Sequence, residues 1–274
     1  MGGAIKSILE QRLDNLAVQV LPGAGISNVL AIETGRAELA FANTVSTVDA
    51  INGQPPFTAQ AQNVCNVATL YPQYYQVATL AGSGIASPAD FRGRVLSTQT
   101  PGNTGQAITV HLLRAYGMTD ADLAGVSYGS FTDSISLMKD GNADIFALGT
   151  SIPASAIMDL ASGREVALMD IPDDGLLRMQ AINAGYERAV IPAGTYPNQD
   201  NDVATVGYAT HFIARCDLDP EIVYALLDGT YTNLQDLGSI ARAVRTATPA
   251  SMGRDIGVPL HPGATRWYED RGDE

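Results

Sequence analysis

Short apolar runs alternate with amphipathic stretches along almost all of this 274-residue chain. Glu38–Asn43, Val64–Leu70, Tyr75–Leu80, Arg94–Ser97, Gly125–Tyr128, Ala143–Leu148, Val166–Met169 and Val203–Ala214 read as strands. Ile5, Ile8, Leu9 and Leu13 recur at helical spacing, and residues 44–51, 107–116, 131–139, 152–161 and 175–184 read as helices. Leu16–Leu21 adds a strand before the tight loop Pro22–Gly25, with Ser27 or Asn28 placed to cap the next helix. Pro220–Leu227 and Leu234–Ala243 read as closing helices, followed by Pro259–Pro262 and a last helical turn. Such alternation predicts an α/β protein with parallel sheets, since a strand that returns parallel to its neighbour needs a crossover about as long as a helix.

A chain of this length favours two cores over one. Hydrophobic residues make up 46% and charged residues 16%, the balance of a folded globular protein. With 16 Lys+Arg against 29 Asp+Glu the net charge is -13, which disfavours nucleic acid and anionic lipid as partners through average repulsion. A small anion is not excluded, because local dipoles decide a pocket. No run of 18 apolar residues offers a membrane span. Cys65 and Cys216 fit no metal spacing. They read as two buried thiols, and a disulfide stays open if both lie on neighbouring strands.

Two polar, glycine-containing loops each lead into a helix: Gly23–Asn28 and Gly102-Asn103-Thr104-Gly105-Gln106. The unpaired N–H groups of a helix start, together with the helix dipole, favour a carboxylate or phosphate. The Thr104 hydroxyl and the Asn103 and Gln106 amides could add hydrogen bonds. The competing reading is an ordinary strand-to-helix turn, and for Ser27 a plain cap. The mirrored loops predict two α/β lobes with ligand between them at strand ends. Catalysis finds little support. His111, His211 and His261 form no HxxH or HExxH pattern, Asp200 and Asp202 lack the EF-hand frame, and no nucleotide fingerprint occurs. No catalytic residue, metal or cofactor is expected.

Two irregular segments carry a resemblance: Pro192-Ala-Gly-Thr-Tyr-Pro-Asn-Gln-Asp-Asn-Asp-Val-Ala-Thr-Val-Gly207 and Val258-Pro-Leu-His-Pro-Gly-Ala-Thr-Arg-Trp-Tyr268. Both resemble segments of the TAXI-class solute receptors that serve TRAP transporters, and the likeness runs from Gly2 to about Glu269. It implies a two-lobed fold of the type II periplasmic binding proteins, with two sheets, flanking helices and a two-strand hinge. Lobe I would be residues 1–76 plus 208–274 and lobe II residues 77–207, with Tyr75–Leu80 and Val203–Ala214 as the hinge. The implied protein is a monomeric periplasmic receptor that captures a glutamate-like amino acid or a C4/C5 dicarboxylate and hands it to the membrane subunit. A ligand sensor for signalling, or an enzyme on the same scaffold, are the alternatives.

The resemblance also assigns positions. Gly25, Ser27 and Asn28 stand where the family has a Gly-Ser loop, and Asn43-Thr44 where receptors have Gln-Ser at a strand end near ligand. Gly105 replaces an expected threonine, with Thr104 in its stead. Gly149-Thr150-Ser151 looks like the family's Gly-x-Pro segment facing the cleft. Tyr71 and Tyr74 sit near the crossover, where Tyr74 either closes over the cleft or joins Tyr71 in core packing; Tyr196 and His211 read as packing residues. In the family a signal peptide, a first strand and a loop with glycine and tyrosine precede the Gly-Gly-Ala helix. Here that helix opens the chain, so a wrongly assigned start, a shortened chain or a substitute segment is expected.

Overall fold

The computed structural model describes residues 1–272; residues 273 and 274, the end of the expected lobe I, lie outside the described residues. The first half of the chain contains α1 (Gly2–Arg12), α2 (Gly25–Glu33), β1 (Leu39–Asn43), α3 (Thr44–Ile51), β2 (Val64–Leu80), β3 (Val95–Gln99), α4 (Thr104–Ala115) and β4 (Gly125–Gly129). Then come α5 (Phe131–Lys139), β5 (Ile145–Thr150), α6 (Ser155–Gly163), β6 (Val166–Leu168), α7 (Asp173–Ile182), β7 (Glu187–Ile191) and β8 (Val203–Arg215). Helices α8 (Pro220–Thr232), α9 (Leu234–Leu237), α10 (Pro249–Met252) and α11 (Pro262–Arg271) close it.

Several expectations need correction. Val64–Leu70 and Tyr75–Leu80 are one 17-residue strand, β2, running straight through Tyr71-Pro72. Proline fits there because an exposed position owes no ladder N–H. Leu16–Leu21 is not a strand; Val20 and Leu21 are 51% and 60% exposed. Val18 at its middle is tied to side chains of α1 instead, its N donating to Glu10 Oε1 at 2.8 Å and its O accepting from Lys6 Nζ at 2.7 Å. Strand β7 was not anticipated, and the last helical turn is the ten-residue α11. The sheet is mixed: β3 pairs in parallel with β4 and β5, whereas β1–β8, β2–β5, β2–β6 and β7–β8 are antiparallel. Its order is β1-β8-β2-β5-β3-β4, with β6 on β2 and β7 on β8.

The chain divides into two compact units, Met1–Pro72 with Ala209 onward, and Gln73–Tyr208. Strands β2 and β8 contribute to both. In the first unit Leu9, Val67, Leu70, Phe212, Val223, Leu226, Leu227 and Trp267 form the core. Trp267 of the second resemblance segment is fully buried, with the Tyr231 and Tyr268 rings edge-on at 5.5 and 5.1 Å. Gly263 lets α11 approach α8: a Cβ there would stand 2.2 Å from the Pro220 carbonyl oxygen. Asp228 accepts from Arg12 Nη1 at 2.5 Å and from Arg271 Nη2 at 2.6 Å. Cys65 and Cys216 form a disulfide, with Cα atoms 5.0 Å apart. The buried-thiol reading is therefore corrected: the start of β2 and the residue after β8 lie side by side, the neighbouring-strand geometry that a disulfide requires.

The second unit packs α5 and α6 against β5 around Met138, Phe146, Leu148, Ile157 and Leu160. The first resemblance segment anchors itself here. Tyr196 is buried, and its hydroxyl accepts from Ala154 N at 2.7 Å and donates to Gln76 Oε1. No helix among the described residues is long and apolar enough to cross a membrane.

Candidate functional site

In the second unit, the end of β3 delivers the chain into the loop before α4. The helix starts at Thr104, not at Ala107, so Thr104, Gly105 and Gln106 are its first turn and Asn103 its N-cap residue. No side chain caps this end. Asn103 spends its amide on the loop, with Nδ2 donating to Thr100 Oγ1 at 2.8 Å. The first turn of a helix carries partial positive charge and suits an oxyanion.

Gly105 and Gly149 come together here from α4 and β5. A Cβ on Gly149 would lie 3.5 Å from the Gly105 Cα, and one on Gly105 would lie 3.1 Å from the Gly149 nitrogen. The Gln99 side chain fills the gap, its Oε1 accepting from Gly149 N at 3.2 Å. On the same side of Gly149 is the Tyr208 hydroxyl, 2.3 Å from where that glycine's Cβ would be. Side chains are excluded here mainly by two others: a Cβ on Gly105 would stand 1.6 Å from Gln99 Oε1, and one on Gly149 would meet the Tyr208 phenol. Sequence reasoning singled out both glycines, but it missed Gln99 and Tyr208. The polar end of the β3 run, Thr98-Gln99-Thr100, was the available signal for Gln99. Tyr208 offered none, since it sits inside an apolar strand pattern.

The other expected residues of this unit are placed less tellingly. Gln106 reaches toward Tyr128, whose phenol is pushed up to about 12 by desolvation and then by the Asp120 carboxylate. Thr150 pairs with Tyr74 across the β2–β5 ladder, and Tyr74 packs against the Phe146–Leu160 core.

In the first unit the expected residues are engaged in local structure. Ser27 lies in the third position of α2, where Oγ accepts from Ala24 N at 3.0 Å and donates to Ala24 O at 2.9 Å. It is a reciprocal cap from within the helix, and Ala24 holds the N-cap position predicted for Ser27 or Asn28. Gly25 is the first helical residue, and Asn28 Nδ2 donates to Phe41 O at 2.8 Å, tying α2 to β1. Asn43 precedes α3 as its N-cap residue, and Thr44 Oγ1 accepts from Ala209 N at 3.1 Å. Tyr71 packs against the core around Trp267. A cavity of about 440 Å³ in this unit is lined by Asn66 and by the turn from Gly253 to Leu260; none of the expected ligand residues lines it.

The histidines are structural in their contacts. His211 is sealed between Thr47 Oγ1 at 2.8 Å and Asn66 Oδ1 at 2.9 Å; burial, then the Arg254 charge, pushes its pKa down to about 3. His111 shares a 2.8 Å hydrogen bond with Tyr186 and is lowered by burial to about 4. His261 accepts from Gly263 N at 3.1 Å, so its ring caps α11. Among the described residues no group of three or more His, Cys, Asp or Glu side chains could hold a metal ion.

The fold is that of the α/β periplasmic binding proteins. The chain belongs to the NMT1-like family, whose model matches residues 1–272. Among solved structures it is similar to XAC2383 from Xanthomonas citri, bound to ATP, at 12% identity and a TM-score of 0.57, covering 98% of this chain and 88% of that one. It is also similar to the periplasmic aliphatic sulphonate binding protein SsuA from Escherichia coli, at 16% identity and a TM-score of 0.50, covering 98% and 76%. PhnD1 from Prochlorococcus marinus, in complex with methylphosphonate, matches at 13% identity and a TM-score of 0.50, covering 89% and 80%.

Proposed function

We propose that this chain is a non-enzymatic, periplasmic solute receptor of the TAXI class, which captures a small anionic metabolite and delivers it to the membrane subunit of a TRAP transporter. The observation that carries the reading is the start of α4, without a side-chain cap, laid beside Gly149 and the polar groups of Gln99 and Tyr208, where the helix dipole favours an oxyanion. Family membership and fold support a receptor; the Pro192–Gly207 and Val258–Tyr268 segments support the TAXI class. A glutamate-like amino acid or a C4/C5 dicarboxylate is the proposed cargo. A sulfonate or phosphonate is the second reading, favoured by the ligands named for SsuA and PhnD1. Both classes bring an oxyanion to the same helix start.

A thermal-shift screen tests this. L-glutamate, succinate, 2-oxoglutarate, methylphosphonate and an alkanesulfonate are added one at a time to the purified protein. A ligand at 100 times its dissociation constant stabilises the folded state by about 2.7 kcal/mol. A shift with a carboxylate supports the leading reading, and a shift with a phosphonate or sulfonate alone transfers it to the second. No shift with any of them removes both.

A further inference from the structure

We propose that Tyr208 is a ligand-binding residue, its hydroxyl donating a hydrogen bond to the oxyanion seated at the start of α4. This rests on the receptor reading above, and names a contact that reading does not contain. The Tyr208 side chain is 2% exposed, so the phenol is held in one place by packing. Among the described residues no hydrogen bond engages its hydroxyl, and the oxygen is not one of the sealed, partnerless atoms, so it keeps an opening to solvent. The hydroxyl lies beside Gly149, where it occupies the space a side chain would take. A buried phenol without an acceptor forfeits a hydrogen bond, and a ligand that supplies the acceptor restores it.

Neighbouring donors show why the hydroxyl matters. Gly149 N–H is already bound to Gln99 Oε1, so beside this glycine the donor left to offer is the phenol. Burial raises the phenol's pKa well above the ordinary range, so the proton stays on oxygen at neutral and moderately alkaline pH. A protonated phenol donates to a negative acceptor and repels no anion. Tyr75, by contrast, spends its hydroxyl on Thr109 Oγ1 at 2.8 Å and has no such role. The ligand class that follows is a carboxylate or other oxyanion gripped by neutral donors.

Calorimetric titration of wild type and of Tyr208→Phe with the five compounds named above decides the matter, with Tyr224→Phe of the first unit as control. The expected result is that the compound bound by wild type loses at least about tenfold in affinity with Tyr208→Phe and is unaffected by Tyr224→Phe. Unchanged affinity in Tyr208→Phe overturns the inference and leaves the receptor reading standing. Binding of none of the five to wild type overturns the receptor reading and the inference with it. Should Tyr208→Phe fold poorly, wild type labelled at the tyrosine ζ carbon answers instead: the Tyr208 resonance shifts on ligand addition if its hydroxyl takes part, and its constancy overturns the assignment.

Discussion

Gly149 and the Tyr208 hydroxyl share one space: a Cβ on the glycine would stand 2.3 Å from the phenol oxygen. Gly149→Ala must therefore displace the tyrosine, at about 1–3 kcal/mol of overpacking. The expected outcome is a folded variant with a lowered melting temperature and no measurable binding of the wild-type ligand. Calorimetry and titration check it, and retention of wild-type affinity would contradict the proposed seat.

Reduction of the Cys65–Cys216 bond should destabilise the first unit. The two cysteines are 151 residues apart in sequence, and chain-entropy reasoning gives a loop of that size a stabilisation of about 5 kcal/mol. Measured values fall lower, at about 2–4 kcal/mol. The melting temperature should fall on adding dithiothreitol and in the Cys65→Ala, Cys216→Ala double variant alike. Equal melting temperatures with and without reductant would count against the bond.

Acid should weaken the fold earlier than carboxylates alone would require. His111 and His211 are held near 4 and 3, below the ordinary value of 6.5, mainly by burial. The unfolded chain binds their protons first, so folding free energy is lost as pH falls from about 6.5 toward 4 for His111 and toward 3 for His211. Urea unfolding at stepped pH should show a net uptake of about two protons on unfolding near pH 5 from these two residues alone. A flat profile between pH 6.5 and 5 would show that they are not buried as described.

Gly263→Ala tests the packing behind the second irregular segment. Its Cβ would meet the Pro220 carbonyl oxygen at 2.2 Å, and a backbone atom cannot step aside as a side chain does. Helix α11 must move off α8, costing about 1–3 kcal/mol. The near-ultraviolet dichroism of Trp267, the single tryptophan, should report the shift. An unchanged spectrum and stability would dismiss the close approach.

Much of the fold was legible because local pattern and tertiary need agreed. Thr44–Ile51 and Phe131–Lys139 appear with the predicted bounds, each preceded by a polar residue and followed by a Gly two positions past its end, with Ser130 capping the second. Leu16–Leu21 shows the limit: apolar content alone does not make a strand without a partner to share hydrogen bonds. Strand β7 was hidden because Glu187 and Arg188 break the apolar pattern, though pairing with β8 suffices to hold it. The α4 start was misplaced because Gly105 argues locally against helix. A glycine suits that position because the Gln99 carboxamide takes the space of its Cβ, a tertiary fact that no spacing in the sequence records. The same holds for Tyr208, visible in sequence only as one more residue of a buried strand.

Asp228 receives a guanidinium from each end of the chain, Arg12 of α1 and Arg271 of α11, and the Trp267 indole lies 3.5 Å away. The carboxylate thus works as a clasp. A version trimmed before residue 271, or one with a fusion partner that pulls the closing helix aside, would leave a partly sheltered anion with half its counter-charge. Engineers shortening this protein should cut inside an exposed loop and leave that buckle fastened.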